Sequence, residues 1–488
     1  MSQINTNVMS MLAQRSLGQQ NSSLNDSLQR LSTGLRINRG ADDPAGLIAS
    51  ENLRSEKTSI SSAISNAERA DQVMNIAEGG LTEVSSLLNN LQGLVTQSAN
   101  DAGLSGEEKE ANQLQIDSIL QTIDRVAGST SFQGQKLLNG NFSYSSSDVD
   151  TTELTDVKID AARVPQGGQI DVNVDVTAAA QTGRVFFDNT AVAAGSGEFT
   201  IEVAGNDGVQ QFTFAEGAST TEIADAVNTF TGATGVTATV DTDDVVFDSS
   251  AFGSAGTVTV TKIAGDAAYD DKIFATDAAG VKDGATGANT HRGVGVDAEV
   301  NINGQSASVD GLTARVASAG LDVTVDISEA LNTAEGDSAF SITGGGATFQ
   351  LSPELNLAGK ASIGIDAVTT GRLGSNGNGF LAELSAGSSA NVVNGDVDKA
   401  QRVVNDAIGQ VSKLRGRIGS FQANTVGATV RALGVALENT SAAESQIRDT
   451  DFATETAALT RSQILSQAAT NVLSIANSQP QNVLALLG

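Results

Sequence analysis

Cysteine and tryptophan are absent from this chain of 488 residues, and histidine occurs once, at His291. Without cysteine there is no disulfide framework, no thiolate nucleophile and no cysteine-based metal site. A catalytic triad would have to use His291, and no pair of histidines has the spacing of a zinc protease. Because aromatic residues make up only 4% of the chain, its cores must consist mainly of Ala, Val, Leu and Ile.

Long apolar runs and basic clusters are also missing. No run of about 18 apolar residues occurs, so the sequence predicts no membrane-spanning helix. No basic patch is present that could neutralise phosphates, which argues against nucleic acid as a partner. Residues Met1–Asn7 lack the basic start and apolar core of a cleavable signal peptide, so we expect any export route to leave this terminus intact.

Negative charge is in excess, and it is unevenly placed. The formal net charge is −29, and residues 143–395 hold 34 of the 57 acidic and 10 of the 28 basic residues. The middle therefore carries −24 and the two ends together only −5. Near-neutral ends permit close self-packing, whereas an acidic middle keeps an exposed surface soluble.

Both ends of the chain carry apolar residues at helical spacing. The longest stripe has successive gaps of 4, 3, 7, 7, 3, 4, 3 and 4, at Ile60, Ile64, Ala67, Met74, Leu81, Val84, Leu88, Leu91 and Val95. A single stripe could be ordinary globular core, but five repeats with matching stripes at the other end indicate helices that pack on helices. We therefore expect the two termini to pair with each other and neighbouring copies to complete the packing.

We call the terminal residues expected to make these contacts the polymerisation seam. They share heptad-like spacing close to one end of the chain: Leu24, Leu28, Leu31, Leu35, Ile464, Leu465, Ala468, Val472, Leu473, Val483, Leu484 and Leu487.

Capping residues predict where the N-terminal helices begin and end. A first helix is expected over 4–35 with Gly40 as its stop, and a second from Pro44, capped by Asp42 or Asp43, to about Asn100. Ser105 and Glu108 have the spacing of a capping box that opens a third helix, which Gly128 would end. Residues 132–138 have the pattern of a hairpin.

From about residue 143 the hydrophobic period falls from 3.6 to 2, which indicates strands. Residues 170–176 alternate strictly, further strands are expected within 199–261, and one helix is expected over Thr221–Phe230. The predicted fold class is α+β multidomain, with long terminal helices paired as a coiled-coil or bundle core and a β-rich insert of about two small domains. Its predicted divisions are 1–43 with 450–488, 44–142 with 395–449, 143–285, and 286–394.

No constellation of residues predicts catalysis, a cofactor site or a metal site. His291 is expected in a surface loop. Asp241, Asp243, Asp244 and Asp248 lack the glycine and terminal glutamate of an EF-hand, so a solvated acidic turn is favoured over a calcium site. Residues 344–346 are three glycines that precede no predicted helix, so we expect a turn and not a phosphate-binding loop.

The two ends resemble bacterial flagellin. The N-terminal motif is residues 31–38 (LSTGLRIN) followed by 41–46 (ADDPAG). The C-terminal motifs are residues 448–453 (RDTDFA), 463–468 (QILSQA) and 480–487 (PQNVLALL). The resemblance covers about 1–142 and 390–488. Within the insert, 199–240 is similar to a small β-α-β module of flagellins and filament-cap proteins.

This resemblance implies a non-enzymatic subunit that is exported through the flagellar type III apparatus and polymerises outside the cell for motility. It implies an inner layer of 1–43 with 450–488, a second layer of 44–142 with 395–449, and an insert that projects outward. The implied partners are other copies, hook-associated and filament-cap proteins, and an export chaperone at the C-terminal helices. A hook–filament junction protein and a surface adhesin acting through the insert remain alternatives.

The resemblance also bears on immune recognition. Flagellins that the animal Toll-like receptor for this family detects carry an arginine-rich patch just before a Gln-Ser-Ala-Asn run. This chain keeps Leu94 and residues 97–100 of that pattern but has Asn89-Asn90-Leu91-Gln92-Gly93 before them. Weak receptor recognition is therefore expected, because Asn and Gln replace a forked guanidinium poorly.

Overall fold

A computed structural model of the chain describes residues 6–100, 103–165, 168–188, 197–241, 244–265, 273–275, 289–318 and 320–487. The chain divides into two compact units. The first unit comprises Met1–Asp71, Gln350–Gly359 and Ala423–Gly488, and the second comprises Gln72–Phe349 and Lys360–Gln422. Among the described residues, no helix is both long and apolar enough to cross a membrane.

The helices lie mainly towards the two ends of the sequence. In chain order they are α1 (Val8–Thr33), α2 (Pro44–Ser98), α3 (Gly106–Ser129), α4 (Thr220–Asn228), α5 (Thr231–Thr234), α6 (Glu329–Ala334), α7 (Val397–Ser420), α8 (Gly427–Arg448) and α9 (Phe452–Leu487). A 3₁₀ turn covers Leu381–Leu384, and a π-helical segment, Phe421–Val426, joins α7 to α8.

The strands lie between α3 and α7. They are β1 (Ser131–Phe132), β2 (Gln135–Lys136), β3 (Tyr144–Ser147), β4 (Leu154–Ala162), β5 (Ile170–Ala178), β6 (Thr182–Asp188), β7 (Phe199–Ala204), β8 (Val209–Phe214), β9 (Val236–Asp241), β10 (Asp244–Phe252), β11 (Thr257–Ala264), β12 (Ile273–Ala275), β13 (Thr290–Val294), β14 (Glu299–Ile302), β15 (Gln305–Ser306), β16 (Ser308–Asp310), β17 (Thr313–Ala317), β18 (Leu321–Ile327), β19 (Asp337–Gly345), β20 (Ala347–Gln350), β21 (Lys360–Ile363), β22 (Gly374–Ser375) and β23 (Gly379–Phe380).

The break between α1 and α2 lies slightly earlier than predicted. Gly34 ends α1 with φ 73°, and its N–H donates to the Arg30 carbonyl at 2.8 Å, so Gly40 is not the stop. A left-handed residue at this position favours glycine, and Gly34 supplies it. Pro44 begins α2 as predicted, and the Asp43 carboxylate accepts from the Gly46 N–H at 2.8 Å.

The start of α3 is confirmed. The Ser105 side chain accepts from the Glu108 N–H, and the Glu108 carboxylate accepts from the Ser105 N–H, which is a complete capping box. Its end is one residue later than expected, because α3 runs past Gly128 to Ser129. β1 and β2 then form the predicted hairpin.

The long apolar stripe forms the helical core of the second unit. Its members from Met74 to Val95 are almost fully buried and pack with Ile116 and Ile123 of α3 and Val404 and Val411 of α7. This confirms that the heptad positions of α2 face other helices.

Two β cores lie within the second unit, and they are nested along the chain. The sandwich core lies between the sheets β15-β14-β5-β19-β3 and β16-β17-β18-β4. The nested core lies between β12-β6-β10-β9 and β13-β11-β7-β8 and includes α4, which fills the predicted helix position. Strict alternation on β5 buries Val172, Val174 and Val176 as expected.

The sequential division at 285/286 does not match the strand pairing. β5 pairs with β14 and β19, and β4 pairs with β18, so residues from both sides of 285 share the sandwich core. Strands β6 to β13 lie between β5 and β14 in the sequence and pair only among themselves in the sheets of the nested core. Alternation identifies a strand from its local sequence, but it does not specify which distant strand is its partner.

We expect Leu88→Ala to lower the free energy of unfolding of the helical core by about 2–5 kcal/mol, because it leaves a cavity among fully buried side chains. Leu114→Ala on the exposed face of α3 is the matched control and should change it by less than about 0.5 kcal/mol. Urea unfolding followed by the helical circular dichroism signal measures both. Equal losses from the two variants would contradict this assignment of the core.

Candidate assembly surface

The helices α1 and α9 lie antiparallel within the first unit. Near the start of α1 the Asn7 side chain donates to the Ala476 carbonyl at 2.7 Å. Near its end Arg30 lies 3.7 Å from the Glu455 carboxylate. Numbers that rise along α1 therefore fall along α9, which confirms that the two termini pair. We call α1 and α9 the terminal pair.

Backbone contacts close one end of the terminal pair. Leu35 and Asp449 form an antiparallel bridge, and the Arg36 N–H donates to the Arg448 carbonyl at 2.7 Å. Each of these bonds joins one specific pair of backbone groups, so together they fix the register of α1 against α9.

Small side chains separate the two helices. The residues of the terminal pair that are buried are short or polar: Ser10, Ala13, Ser27, Ser462 and Ala476. Such residues allow close approach of the backbones but remove little apolar surface from water, and each buried CH₂ contributes only about 0.8 kcal/mol. The pair alone therefore gains little hydrophobic stabilisation.

Five of the nine predicted seam residues whose side chains are described are exposed. Ile464 is 61% exposed and Val472 is 55% exposed, and Leu28, Leu465 and Ala468 are also exposed. Four more are partly exposed: Leu24, Leu31, Leu35 and Leu473. The side chains of Val483, Leu484 and Leu487 lie outside the described residues.

Further apolar residues of the terminal pair are exposed and were missed by the sequence reasoning: Val8, Met9, Met11, Leu12, Phe452 and Ile475. The sequence pattern could have identified them, because Val8, Met11 and Leu12 continue the apolar spacing of α1 towards its start. These residues add to the apolar surface that the terminal pair exposes.

Two carboxylates hold the ends of the helices at this surface. Asp42 accepts from the N–H groups of Arg39 and Asn38, each at 3.0 Å, and these bonds hold the pKa of Asp42 below its ordinary value. Asp451 caps α9 by accepting from the Thr454 hydroxyl at 2.7 Å and the Ala453 N–H at 2.9 Å, which lowers the pKa of Asp451 in the same way.

The other candidate residues do not form a site among the described parts of the chain. His291 was expected in a surface loop, and this is wrong, because it is a buried residue of β13 paired with Val260. The alternation of this strand is hard to recognise in the sequence, because Arg292 and two glycines, Gly293 and Gly295, follow His291. Gly344 and Gly345 end β19 instead of forming a free turn.

The acidic run 241–248 lies on a hairpin. Asp241 ends β9 and Asp244 begins β10, and the carboxylate of Asp248 binds the Arg184 guanidinium at 2.6 Å. Asp243 lies outside the described residues. The described part of the chain holds no acidic or histidine cluster suited to a metal ion.

The positions that bear on receptor recognition lie on α2. Asn89, Asn90 and Gly93 are exposed, and Leu91 is buried in the helical core. The Gln92 amide donates to the Asn405 side chain at 2.9 Å. The exposed face here therefore presents neutral amides.

Paired terminal helices with an uncovered apolar face define a class of self-assembling structural protein, and comparison with known proteins gives the family. The family model of the bacterial flagellin N-terminal helical region matches residues 4–143, and that of the C-terminal helical region matches residues 402–487. The chain is 30% identical over 528 residues to the B-type flagellin of Pseudomonas aeruginosa and 29% identical over 516 residues to the flagellin of Salmonella choleraesuis. Each alignment covers 99% of both proteins.

The chain belongs to the flagellin family and is a structural subunit of the bacterial flagellar filament. The junction protein and the adhesin are not favoured, because curated flagellins match along the full length. Among solved structures, FliC of Burkholderia pseudomallei is 14% identical, with 72% of this chain and 99% of that chain covered and a TM-score of 0.25. The flagellar cap protein FliD of Escherichia coli (domains D1 to D3) is 14% identical, with 72% and 74% covered and a TM-score of 0.26.

We expect the turn before α2 and the start of α9 to loosen in acid. The pKa values of Asp42 and Asp451 are lowered by folding, so their stabilisation is present above the ordinary carboxyl pKa and is lost as the pH falls below about 4. Hydrogen exchange at 38–42 and 451–455, normalised to intrinsic rates, should show protection that decreases over this range. Asp42→Asn should weaken protection at 38–42 at neutral pH. Unchanged protection in that variant would contradict the role of the carboxylate.

Proposed function

We propose that the exposed apolar face of the terminal pair is the polymerisation surface of the filament. The observation that carries this proposal is that Ile464, Val472 and their neighbours are exposed on helices whose shared interface is made of small residues. Burial of each such side chain by a neighbouring copy contributes about 1.5–3 kcal/mol. In this proposal 1–43 with 450–488 form the inner layer, 44–142 with 395–449 form the next, and assembly involves no catalysis.

The charge distribution supports an outward position for the insert. Residues 143–395 carry a net −24, whereas the ends carry −5. Like charges repel when copies pack side by side, so close packing favours the near-neutral ends. We propose that the subunit is secreted, is bound by a chaperone at its C-terminal helices, and meets hook-associated and cap proteins at the ends of the filament.

Removal of 450–488 should abolish filaments and leave both β cores folded, because α1 loses its partner helix and most of the apolar face is lost. Electron microscopy measures assembly, and circular dichroism measures the remaining fold. The milder variant Ile464→Asn should raise the critical concentration for assembly by about 10–150-fold, the equivalent of one lost side-chain burial.

The matched control removes Tyr144–Gly345 and joins Ser143 to Gly346. The Gly346 N–H already donates to the Ser143 carbonyl at 3.4 Å, so the join leaves the helical core in place. This shortened chain should still polymerise. Filaments of normal length from the chain lacking 450–488 would refute the proposed surface.

We propose that this subunit is a weak ligand of the Toll-like receptor that detects flagellins. The exposed Asn89 and Asn90 offer no charged donor, and an amide lacks the forked, charge-assisted bonds of arginine. Titration of receptor reporter cells should show much lower potency than that of a strongly detected flagellin, and Asn90→Arg should raise it. Equal potency of the unsubstituted chain and the reference would refute the proposal.

A further inference from the structure

The strands β20 and β21 form a hairpin whose base is fixed. Ala347 and Ile363 are buried in the helical core, and the ring of Phe349 packs 6.1 Å from that of Phe421. The Leu351 N–H donates to the Gly359 carbonyl at 2.9 Å and extends the pairing past the strands. The tip, residues 351–359, which we call the hairpin loop, is therefore held at both ends.

The polar groups of the hairpin loop bind the loop itself. The Gln350 amide donates to the carbonyls of Ser352 at 3.0 Å and Glu354 at 2.7 Å. The Asn356 side chain accepts from the Gly359 N–H at 2.6 Å and donates to the Glu354 carboxylate at 3.3 Å. These bonds give the loop one backbone conformation without help from another element.

Close packing and proline restrict the loop further. A Cβ at Gly359 would lie 2.5 Å from the Ser352 Cβ, so only glycine allows the two sides to approach this closely. Pro353 fixes its own φ angle and reduces the freedom of the unfolded loop. A rigid loop can offer a side chain to a partner with little loss of conformational entropy.

Two leucines of the hairpin loop are exposed, whereas Leu351 at its base is buried. Leu355 is 91% exposed and Leu357 is 43% exposed. A single exposed leucine on a surface is ordinary. Here two leucines are presented to solvent on a loop whose backbone is held by its own hydrogen bonds.

The position of the loop indicates what covers it. Residues Gln350–Gly359 fall in the same compact unit as α1 and α9, the helices whose apolar face is uncovered. A filament surrounds each subunit with identical copies, so another copy is the partner that such an exposed loop meets at the highest local concentration. The carboxylate of Glu354, which is also exposed, accepts a hydrogen bond from the Asn356 amide at 3.3 Å.

We propose that Leu355 and Leu357 of the hairpin loop dock on a second copy of this chain in the filament. This proposal rests on the proposed polymerisation through the terminal pair and adds a contact outside it. It predicts that Leu355 changes from exposed in the free subunit to buried in the polymer.

The absence of cysteine from the sequence permits a direct test. Leu355→Cys introduces the only thiol, and a small amount of this variant is polymerised with an excess of unsubstituted chain. Maleimide labelling should be at least about tenfold slower in filaments than in free subunits, since a thiol reacts only where reagent reaches it. Val209→Cys is the control, because Val209 is 57% exposed at the edge of the other unit and should label at similar rates in both states.

A second variant measures the contribution to assembly. Leu355→Asn should raise the critical concentration by about tenfold or more and leave the circular dichroism of the free subunit unchanged, whereas Val209→Asn should alter neither. Equal labelling of residue 355 in filaments and free subunits would overturn the proposal. That is also the result expected if the loop binds a different protein. Failure of the unsubstituted chain to form filaments would instead overturn the proposed function.

Discussion

The structure depends on one mismatch in the terminal pair. The buried residues between α1 and α9 are serine and alanine, while many of the larger apolar side chains are exposed. Close backbone approach and a few hydrogen bonds fix the register, but the hydrophobic contribution to stability requires other copies. A chain in which α1 must pair with α9 has to place every other element between these two helices. The order of elements, with helices at both ends and strands in the middle, follows from this constraint.

The same constraint requires the chain to return from the β cores to α7, and the segment that makes this return is held firmly. Residues 366–395 are rich in glycine and serine, but polar side chains of the helices bind them to the helical core. The buried Gln113 amide donates to the Leu384 carbonyl at 2.8 Å and accepts from the Val392 N–H at 3.0 Å. Asp124 accepts from both the N–H and the hydroxyl of Thr370 at 2.8 Å. Hydrogen bonds of this kind fix the orientation of the segment, whereas apolar packing is not directional.

Much of the fold could be predicted from local sequence. The heptad stripe of α2, the capping box at Ser105 and the alternation of β5 each depend on neighbouring residues alone. The nested pairing of β5 with β14 and β19 could not be predicted, because period-2 strands carry no mark of their partner. His291 shows the same limit, since only its cross-strand neighbour Val260 reveals that it is buried.

The candidate surface was predicted in part for a related reason. The spacing of Leu28 and Ile464 identifies an apolar stripe, and the family motifs identify what the stripe is for. The spacing does not state which side of the helix meets the partner within the chain and which side meets another copy. That choice depends on residues that look unremarkable in sequence, such as Ala13 and Ser462, which fit between closely spaced backbones.

The nested arrangement of the β cores has a practical consequence. The segment 182–294 leaves and rejoins the sandwich core through one narrow neck, where Gln181 and Val296 exchange backbone hydrogen bonds at 2.8 and 3.0 Å. Paired residues of this kind have Cα atoms about 5 Å apart. A folded body whose own termini lie that close matches the spacing of the chain at this neck. The neck is therefore a natural grafting point for displaying a foreign domain in many copies along a fibre.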